Sequence, residues 1–87
     1  MQILCHMDKK SYSKLLGQYL KKMRIEKGMS QSDLSDILGN NFQNVSAMER
    51  GEFTPTIHTV HKIAEAFGIS LSEFILGFES FLKNVPA

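Results

Sequence analysis

Apolar residues recur at helical spacing in five short segments of this chain, and no segment shows the alternation of a β-strand. In the first segment, Leu16, Leu20 and Met23 follow an i, i+4, i+7 pattern that lines one face of a helix. Short helices are marginal in water, so they must pack on one another. The pattern predicts an all-α fold of five helices, and a glycine ends each of the first four: Gly28, Gly39, Gly51 and Gly68.

Residues that favour helix starts precede these segments. The letters "SQSD" from Ser30 onward are a variant of the capping box. The third helix is expected to run from about Phe42 to Arg50. Gly17, inside the first helix, costs up to about 1 kcal/mol relative to alanine, which indicates that another part of the chain approaches closely there. The expected caps are Ser13, Ser30, a threonine of the turn Thr54-Pro55-Thr56, and Ser70.

The chain has 87 residues, enough for one domain whose core is held by apolar packing alone. The single cysteine, Cys5, cannot form an intrachain disulfide, which suggests a reducing cytoplasm. No apolar run reaches the length of a membrane span, so we expect a soluble cytoplasmic protein. Residues 1–10 lack periodicity and are expected to form a flexible N-terminal arm. Residues 11–87 are expected to form a single domain, with no room for a cofactor or a small-molecule ligand.

Charge is distributed unevenly along the chain although the formal net charge is only +1. Seven basic residues and two acidic residues lie between Asp8 and Lys27, whereas three basic and seven acidic residues follow from Gly28 onward. This polarity suits a molecule that presents one end to a polyanion. Lysine-rich helix faces are often merely solvated, so charge alone does not decide the partner.

The third segment, "GNNFQNVSAMERG", is rich in amides and nearly free of charge. On a helical wheel, Val45, Met48 and Glu49 fall on one side, and the other side carries amide, hydroxyl, methyl and guanidinium groups. Amides pair with adenine, guanidinium groups with guanine, and apolar groups contact the thymine methyl. The segment therefore predicts a helix that reads base edges in the major groove. The alternative is an ordinary polar surface, because asparagine-rich turns are common.

Small, glycine and apolar residues recur through the second and third segments at the spacing of a helix-turn-helix. Counting Gln31 as position one, Ser35 is fifth, Gly39 ninth, Val45 fifteenth and Met48 eighteenth. A small residue where two helices cross, a glycine in the tight turn and apolar residues on the second helix are typical of a DNA-binding helix-turn-helix.

The stretch from Leu16 to Phe74 resembles the phage-repressor/Cro-like (XRE-type) family of bacterial helix-turn-helix domains. The motifs that carry this resemblance are "MRIEKGMSQSDL", "MERG" and "TPTIHTVHKIAEAFGISL". The letters "KKMRIEKGMSQSDL" are also similar to the small controller proteins of restriction–modification systems. The resemblance implies a five-helix, lambda-repressor-like domain whose helices 2 and 3 form the helix-turn-helix.

The resemblance also implies roles for individual residues. Arg24 and Glu49 would form a structural ion pair between the first and third helices, and Gln31 would donate to a DNA phosphate. Phe42, an aromatic residue at a contact position, would either touch a thymine methyl or fold back onto the protein. The expected base contacts are Phe42, Gln43, Asn44, Ser46 and Ala47. The expected phosphate contacts are Gln31, Asn41, Arg50, Lys21 and Lys22.

The last segment carries more apolar residues than one side of a small domain can bury, running from Leu71 to Leu82. Either all of them pack on the first and fourth helices, or some remain exposed as an interface. We expect a homodimer through residues 71–85, bound to an inverted repeat whose half-sites are about 34 Å apart. Polar residues in place of two of its phenylalanines would then give monomers. The expected interface residues are Phe74, Ile75, Phe78, Phe81 and Leu82.

The expected function is a sequence-specific DNA-binding transcriptional regulator whose partner is double-stranded DNA. His58 and His61 lie three apart, but two histidines without converging cysteines or carboxylates do not make a zinc site. No catalytic constellation or phosphate-binding loop appears, so we expect no enzyme activity and no metal. Two alternatives remain: an antitoxin-type interaction module that binds DNA mainly to regulate its own synthesis, and a domain that keeps the fold without DNA affinity.

Overall fold

A computed structural model describes residues 7–39 and 41–85. The described residues form helices and connecting turns and contain no strand, which confirms the predicted all-α class. None of the described helices combines the length and the hydropathy that a membrane span requires. The five helices are α1 (Lys9–Glu26), α2 (Gln31–Leu38), α3 (Phe42–Glu49), α4 (Ile57–Ala66) and α5 (Leu71–Lys83).

Helix α1 begins earlier than predicted. Its N-cap is Asp8, whose carboxylate accepts the backbone N–H of Ser11 at 2.7 Å, and that bond lowers the pKa of the Asp8 carboxyl. Ser13 is not the cap: it is buried inside the helix and hydrogen-bonds to Thr54. Residues 9 and 10 are therefore helical, not part of an arm. Residues 1–6 of the predicted arm lie outside the described residues.

The other predicted helix starts are confirmed. Ser30 accepts the backbone N–H of Asp33 at 2.9 Å, while the Asp33 carboxylate accepts that of Ser30 at 2.9 Å, which completes a capping box. Ser70 and Glu73 form a second capping box, and Thr56 caps α4. Each box lowers the pKa of its carboxyl group through the backbone hydrogen bond it accepts. Local sequence therefore sets where these helices begin.

Two groups of helices surround one apolar core. Helix α3 packs against α1 and α2, and α5 packs against α1 and α4. Helix α1 thus lies between the helix-turn-helix and the last helix. The most completely buried side chains, which come from every helix, are Leu20, Leu34, Val45, Ile63 and Phe74.

Gly17 lies where α1 crosses the end of α3. A Cβ atom at this position would come within 2.5 Å of the Glu49 carbonyl oxygen and 2.6 Å of the Met48 carbonyl oxygen. No side chain fits in that space, so only glycine allows the two backbones to approach this closely. The close approach expected from a glycine inside a helix is confirmed.

Part of the predicted dimer interface on α5 is buried inside the chain. Phe74, Phe78 and Leu82 lie in the core of the chain itself, so these three predicted interface residues are not available to a partner. The ring of Phe78 packs edge-on against Tyr12 of α1, with 5.4 Å between ring centroids. A polar residue at 78 would therefore disrupt folding, not simply release a monomer.

Two predicted interface residues on α5 keep some exposure. Ile75 is 37% exposed, and Phe81 is partly buried against Tyr19. Leu76, which was not predicted, is 65% exposed. The apolar residues of α5 are thus divided between the core and the surface, and only the surface group could contact another molecule.

Candidate nucleic-acid interface

Helix α3 turns its apolar side inward and its polar side outward, as the wheel predicted. Val45 and Met48 are buried. Phe42 is 52% exposed, so in this structure its ring has not folded back into the core. The five predicted base-contact residues lie on the accessible side of α3. Phe42 and Gln43 are exposed, and Asn44, Ser46 and Ala47 are partly exposed.

The N-terminus of α3 is arranged to meet an anion. Asn41 caps the helix by accepting the backbone N–H of Asn44 at 2.9 Å through its side-chain oxygen. The amide nitrogen of Asn41, which is exposed, can still donate. A helix N-terminus carries a partial positive charge and unpaired N–H groups, so a phosphate beside Asn41 would be bound favourably.

A buried ion pair fixes α3 against α1. Arg24 Nε donates to Glu49 Oε2 at 2.6 Å, and Nη2 donates to Glu49 Oε1 at 3.2 Å. Arg24 Nη1 also donates to the Met29 carbonyl oxygen at 2.7 Å, just before α2. Both side chains of the pair are almost fully buried. The pair that the resemblance implied is thus present, and it joins α1, the start of α2 and the end of α3.

Gln31 belongs to the same network. Its Nε2 donates to Glu49 Oε1 at 3.0 Å, a contact that sequence reasoning missed. An amide nitrogen has two hydrogens, so one remains to donate to a phosphate. The predicted phosphate contact is compatible with this geometry, and Glu49 would fix the direction of the donor.

Arg50, at the end of α3, does not point freely into solvent. Its Nε donates to Glu52 Oε2 at 2.7 Å, and its Nη1 donates to the Ser46 hydroxyl oxygen. The hydrogen bond to Arg50 lowers the pKa of the Glu52 carboxyl, which stays ionised near neutral pH. Sequence reasoning missed Glu52, although its opposite charge two residues after Arg50, across a glycine turn, was a usable signal.

The two predicted phosphate-binding lysines of α1 lie on different faces. Lys22 pairs with Glu26 at 2.8 Å and lines a groove between α1 and α5. Gly17 marks the side of α1 that meets α3, and Lys22 lies about 140° around the helix from it. The structure thus does not bring Lys22 toward α3, and its predicted phosphate contact stays a prediction. Lys21, about 40° from Gly17, remains on the α3 side.

Lys14 is a basic residue that the prediction overlooked. A Cβ atom on Gly51 would lie 2.6 Å from the Lys14 Cα atom, so this lysine lies against the turn that follows α3. Lys14 and Lys21 are seven residues apart, two turns of one helix face, and both are exposed. That spacing was visible in the sequence. The α3 side of α1 thus presents Lys14 and Lys21.

Comparisons with known proteins agree with this geometry. The family model described as "Helix-turn-helix" (HTH_3) matches residues 20–74, from the second half of α1 to the start of α5. The HTH-type transcriptional regulator y4dJ of Sinorhizobium fredii is 36% identical over 62 residues, which are 71% of this chain and 80% of that protein. Two further relatives are longer: the match spans 31% of the HTH-type transcriptional regulator PuuR of Escherichia coli and 56% of the HTH-type transcriptional regulator YonR of Bacillus subtilis.

Solved structures share the fold. The restriction-modification controller protein C.AhdI from Aeromonas hydrophila superposes with a TM-score of 0.64 and 32% identity, covering 72% of this chain and 94% of that chain. The hypothetical transcription factor NHTF from Neisseria gives a TM-score of 0.69 with 26% identity, covering 91% of each chain. With the family match over more than half of its length, the chain belongs to the helix-turn-helix family of DNA-binding transcriptional regulators.

Proposed function

We propose that this regulator recognises a specific DNA sequence by placing α3 in the major groove. The observation that supports this most is the accessible side of α3, which offers amide, hydroxyl and methyl groups above a buried apolar side. These are the groups that distinguish base pairs at the major-groove edge. The proposed base contacts are those predicted from the sequence: Phe42, Gln43, Asn44, Ser46 and Ala47.

The surroundings of α3 supply the proposed phosphate contacts. Asn41 and Gln31 each keep a donor at a helix N-terminus, and Lys14 and Lys21 lie on the α3 side of α1. Phosphate contacts fix the position of a protein on the duplex, whereas base contacts carry the sequence information. Arg50 is a further candidate, although its guanidinium group already donates to Glu52.

The proposed assembly is a homodimer on an inverted repeat, with half-sites about one helical turn, near 34 Å, apart. Two-fold symmetry would double the contacts made by one α3 helix. Of the predicted interface, Ile75 and Phe81 keep enough exposure to contribute, and Leu76, which follows Ile75 in the sequence, is more exposed than either. The proposal includes no cofactor, no small-molecule ligand and no enzyme activity, and it places the protein in the cytoplasm. Control would come from protein concentration and dimer assembly.

A controller-type role in a restriction–modification system is the more specific form of this proposal. The supporting observation is the 32% identity to C.AhdI over 72% of this chain. It agrees with the resemblance of "KKMRIEKGMSQSDL", which covers the second half of α1 and the start of α2.

Selection from a random duplex pool with the purified chain tests the function. We expect an enriched inverted repeat that is bound far more tightly than mixed DNA, with affinity that falls linearly on a log–log plot against salt concentration. No enrichment, with binding of any strength that is the same for all sequences, would contradict sequence-specific regulation. In that case the exposed apolar residues of α5 would favour a protein partner instead.

Gln43→Ala is expected to weaken binding to the selected sequence and to relax the base preference at one position of each half-site. One bidentate amide–adenine pair discriminates by about 1–3 kcal/mol. Gln43 is exposed, so thermal unfolding should not change. Selection with the variant, beside His61→Ala on the exposed face of α4, measures this effect. An unchanged base preference for the Gln43 variant would remove this residue from the base contacts.

A further inference from the structure

Arg50 is the only basic residue between Asn41 and Phe53, the segment that contains α3 and the turn after it. Its guanidinium group would be the natural phosphate contact at this end of the helix. In the structure, however, Glu52 and Ser46 both accept hydrogen bonds from it. The Arg50 guanidinium group is thus already paired with a carboxylate of the same chain.

The geometry of this pair leaves Arg50 only partly available. An arginine has five N–H donors, and the bonds to Glu52 and Ser46 use Nε and one hydrogen of Nη1. The Arg50 side chain runs back along the outside of α3 to the preceding helical turn. Ser46, which accepts its hydrogen bond there, is itself a candidate base contact. A phosphate that approached Arg50 side-on would have to displace the Glu52 carboxylate.

Charge at this end of α3 is balanced without DNA. The buried carboxylate of Glu49 is neutralised by Arg24, and the exposed carboxylate of Glu52 is neutralised by Arg50. The C-terminal end of a helix adds a partial negative charge. Within α3 and the turn after it, DNA phosphates therefore meet no uncompensated positive charge, in contrast to the N-terminal end at Asn41; a cation outside this segment, Lys14 of α1, lies against the same turn.

We propose that Glu52 limits the DNA affinity of this chain by competing with DNA phosphates for Arg50. The inference rests on the proposed function. The contacts at issue are phosphate contacts, which are sequence-independent, so Glu52 lowers the affinity for every duplex and leaves the base preference unchanged. An exposed ion pair is weak, so the competition is reversible and modest in size.

The test compares Glu52→Gln with Glu26→Gln in the full chain. Both variants remove one negative charge from an exposed ion pair, since Lys22–Glu26 is 53% and 55% exposed and Arg50–Glu52 is 57% and 54% exposed. Only Glu52 lies at the end of α3. Fluorescence anisotropy with a random-sequence duplex, measured at several salt concentrations, gives the affinity and its salt dependence.

For Glu52→Gln we expect about two- to fivefold tighter binding at low salt. The slope of log affinity against log salt should steepen by about 0.9, the value for one additional phosphate contact. Glu26→Gln should change the slope much less. In an Arg50→Gln background, Glu52→Gln should no longer tighten binding, because the cation for which it competes is gone.

Two results would overturn the proposal. Equal effects of Glu52→Gln and Glu26→Gln would show that only net charge matters. Weaker binding by Glu52→Gln would show that the Glu52 carboxylate orients Arg50 toward DNA phosphates and does not compete with them. Failure of the proposed function is distinguishable from both, because it appears with the unsubstituted chain: selection from the random pool then enriches no sequence, whether or not the chain binds mixed DNA.

Discussion

Glu49→Gln is expected to lower the free energy of unfolding by about 3–5 kcal/mol, the usual cost of removing one partner of a buried ion pair. The variant leaves the Arg24 guanidinium almost fully buried, and an arginine cannot escape the cost by releasing its proton. It also removes the charged acceptor of the Gln31 amide. A domain of this size has only about 5–15 kcal/mol in total, so a large share would be lost. Urea denaturation followed by circular dichroism measures the change.

Two further variants make this result interpretable. Glu52→Gln changes the same chemical group in an exposed pair and should leave the free energy of unfolding nearly unchanged, because solvent screens such pairs. Replacing both buried partners, as Arg24→Met with Glu49→Leu, should recover much of the loss, because no uncompensated charge remains. A Glu49→Gln variant as stable as the unsubstituted chain would contradict the buried geometry of the pair.

Phe78→Ala is the second change with a large expected effect, also about 3–5 kcal/mol of unfolding free energy. Phe78 is buried, and its ring lies 5.4 Å from that of Tyr12 and 5.5 Å from that of Tyr19. Removing the ring would leave a cavity between α1 and α5. The change should appear as a lower denaturation midpoint, and at temperatures where the variant is folded its association state should be unaffected.

Leu76→Ala is the matched control on the same helix. Leu76 is largely exposed, so its removal should change the stability of the monomer by less than about 0.5 kcal/mol, whereas it should weaken the proposed dimer. Sedimentation equilibrium of both variants separates folding from assembly. If Phe78→Ala instead dissociated a dimer without loss of monomer stability, Phe78 would belong to an interface after all.

The parts of the fold that were predictable are those that depend on neighbouring residues. Ser30 with Asp33, and Ser70 with Glu73, mark helix starts because capping is a contact over three residues. The start of α1 was missed because the prediction relied on apolar periodicity. That periodicity begins only after the lysines at positions 9 and 10.

The site was predictable only in part, for a different reason. The inward side of α3 follows from helical geometry, and the Arg24–Glu49 pair followed from the resemblance. The Gln31–Glu49 and Arg50–Glu52 contacts depend on how long side chains turn in three dimensions, which periodicity does not encode. Likewise, the core and an interface both use apolar residues, so sequence alone could not divide the phenylalanines of α5 between them.

The contact at Gly17 bears on how this protein could acquire a new binding preference. Because main-chain atoms of α1 and α3 are in contact there, the position of α3 against α1 does not depend on the identity of the outward side chains of α3. Those side chains can be replaced while α3 keeps its position and crossing angle relative to α1. A library randomised at Gln43, Asn44, Ser46 and Ala47 would therefore sample many DNA sequences on one unchanged scaffold. In a library that also varied Gly17, any larger residue there would disrupt the packing of α1 against α3.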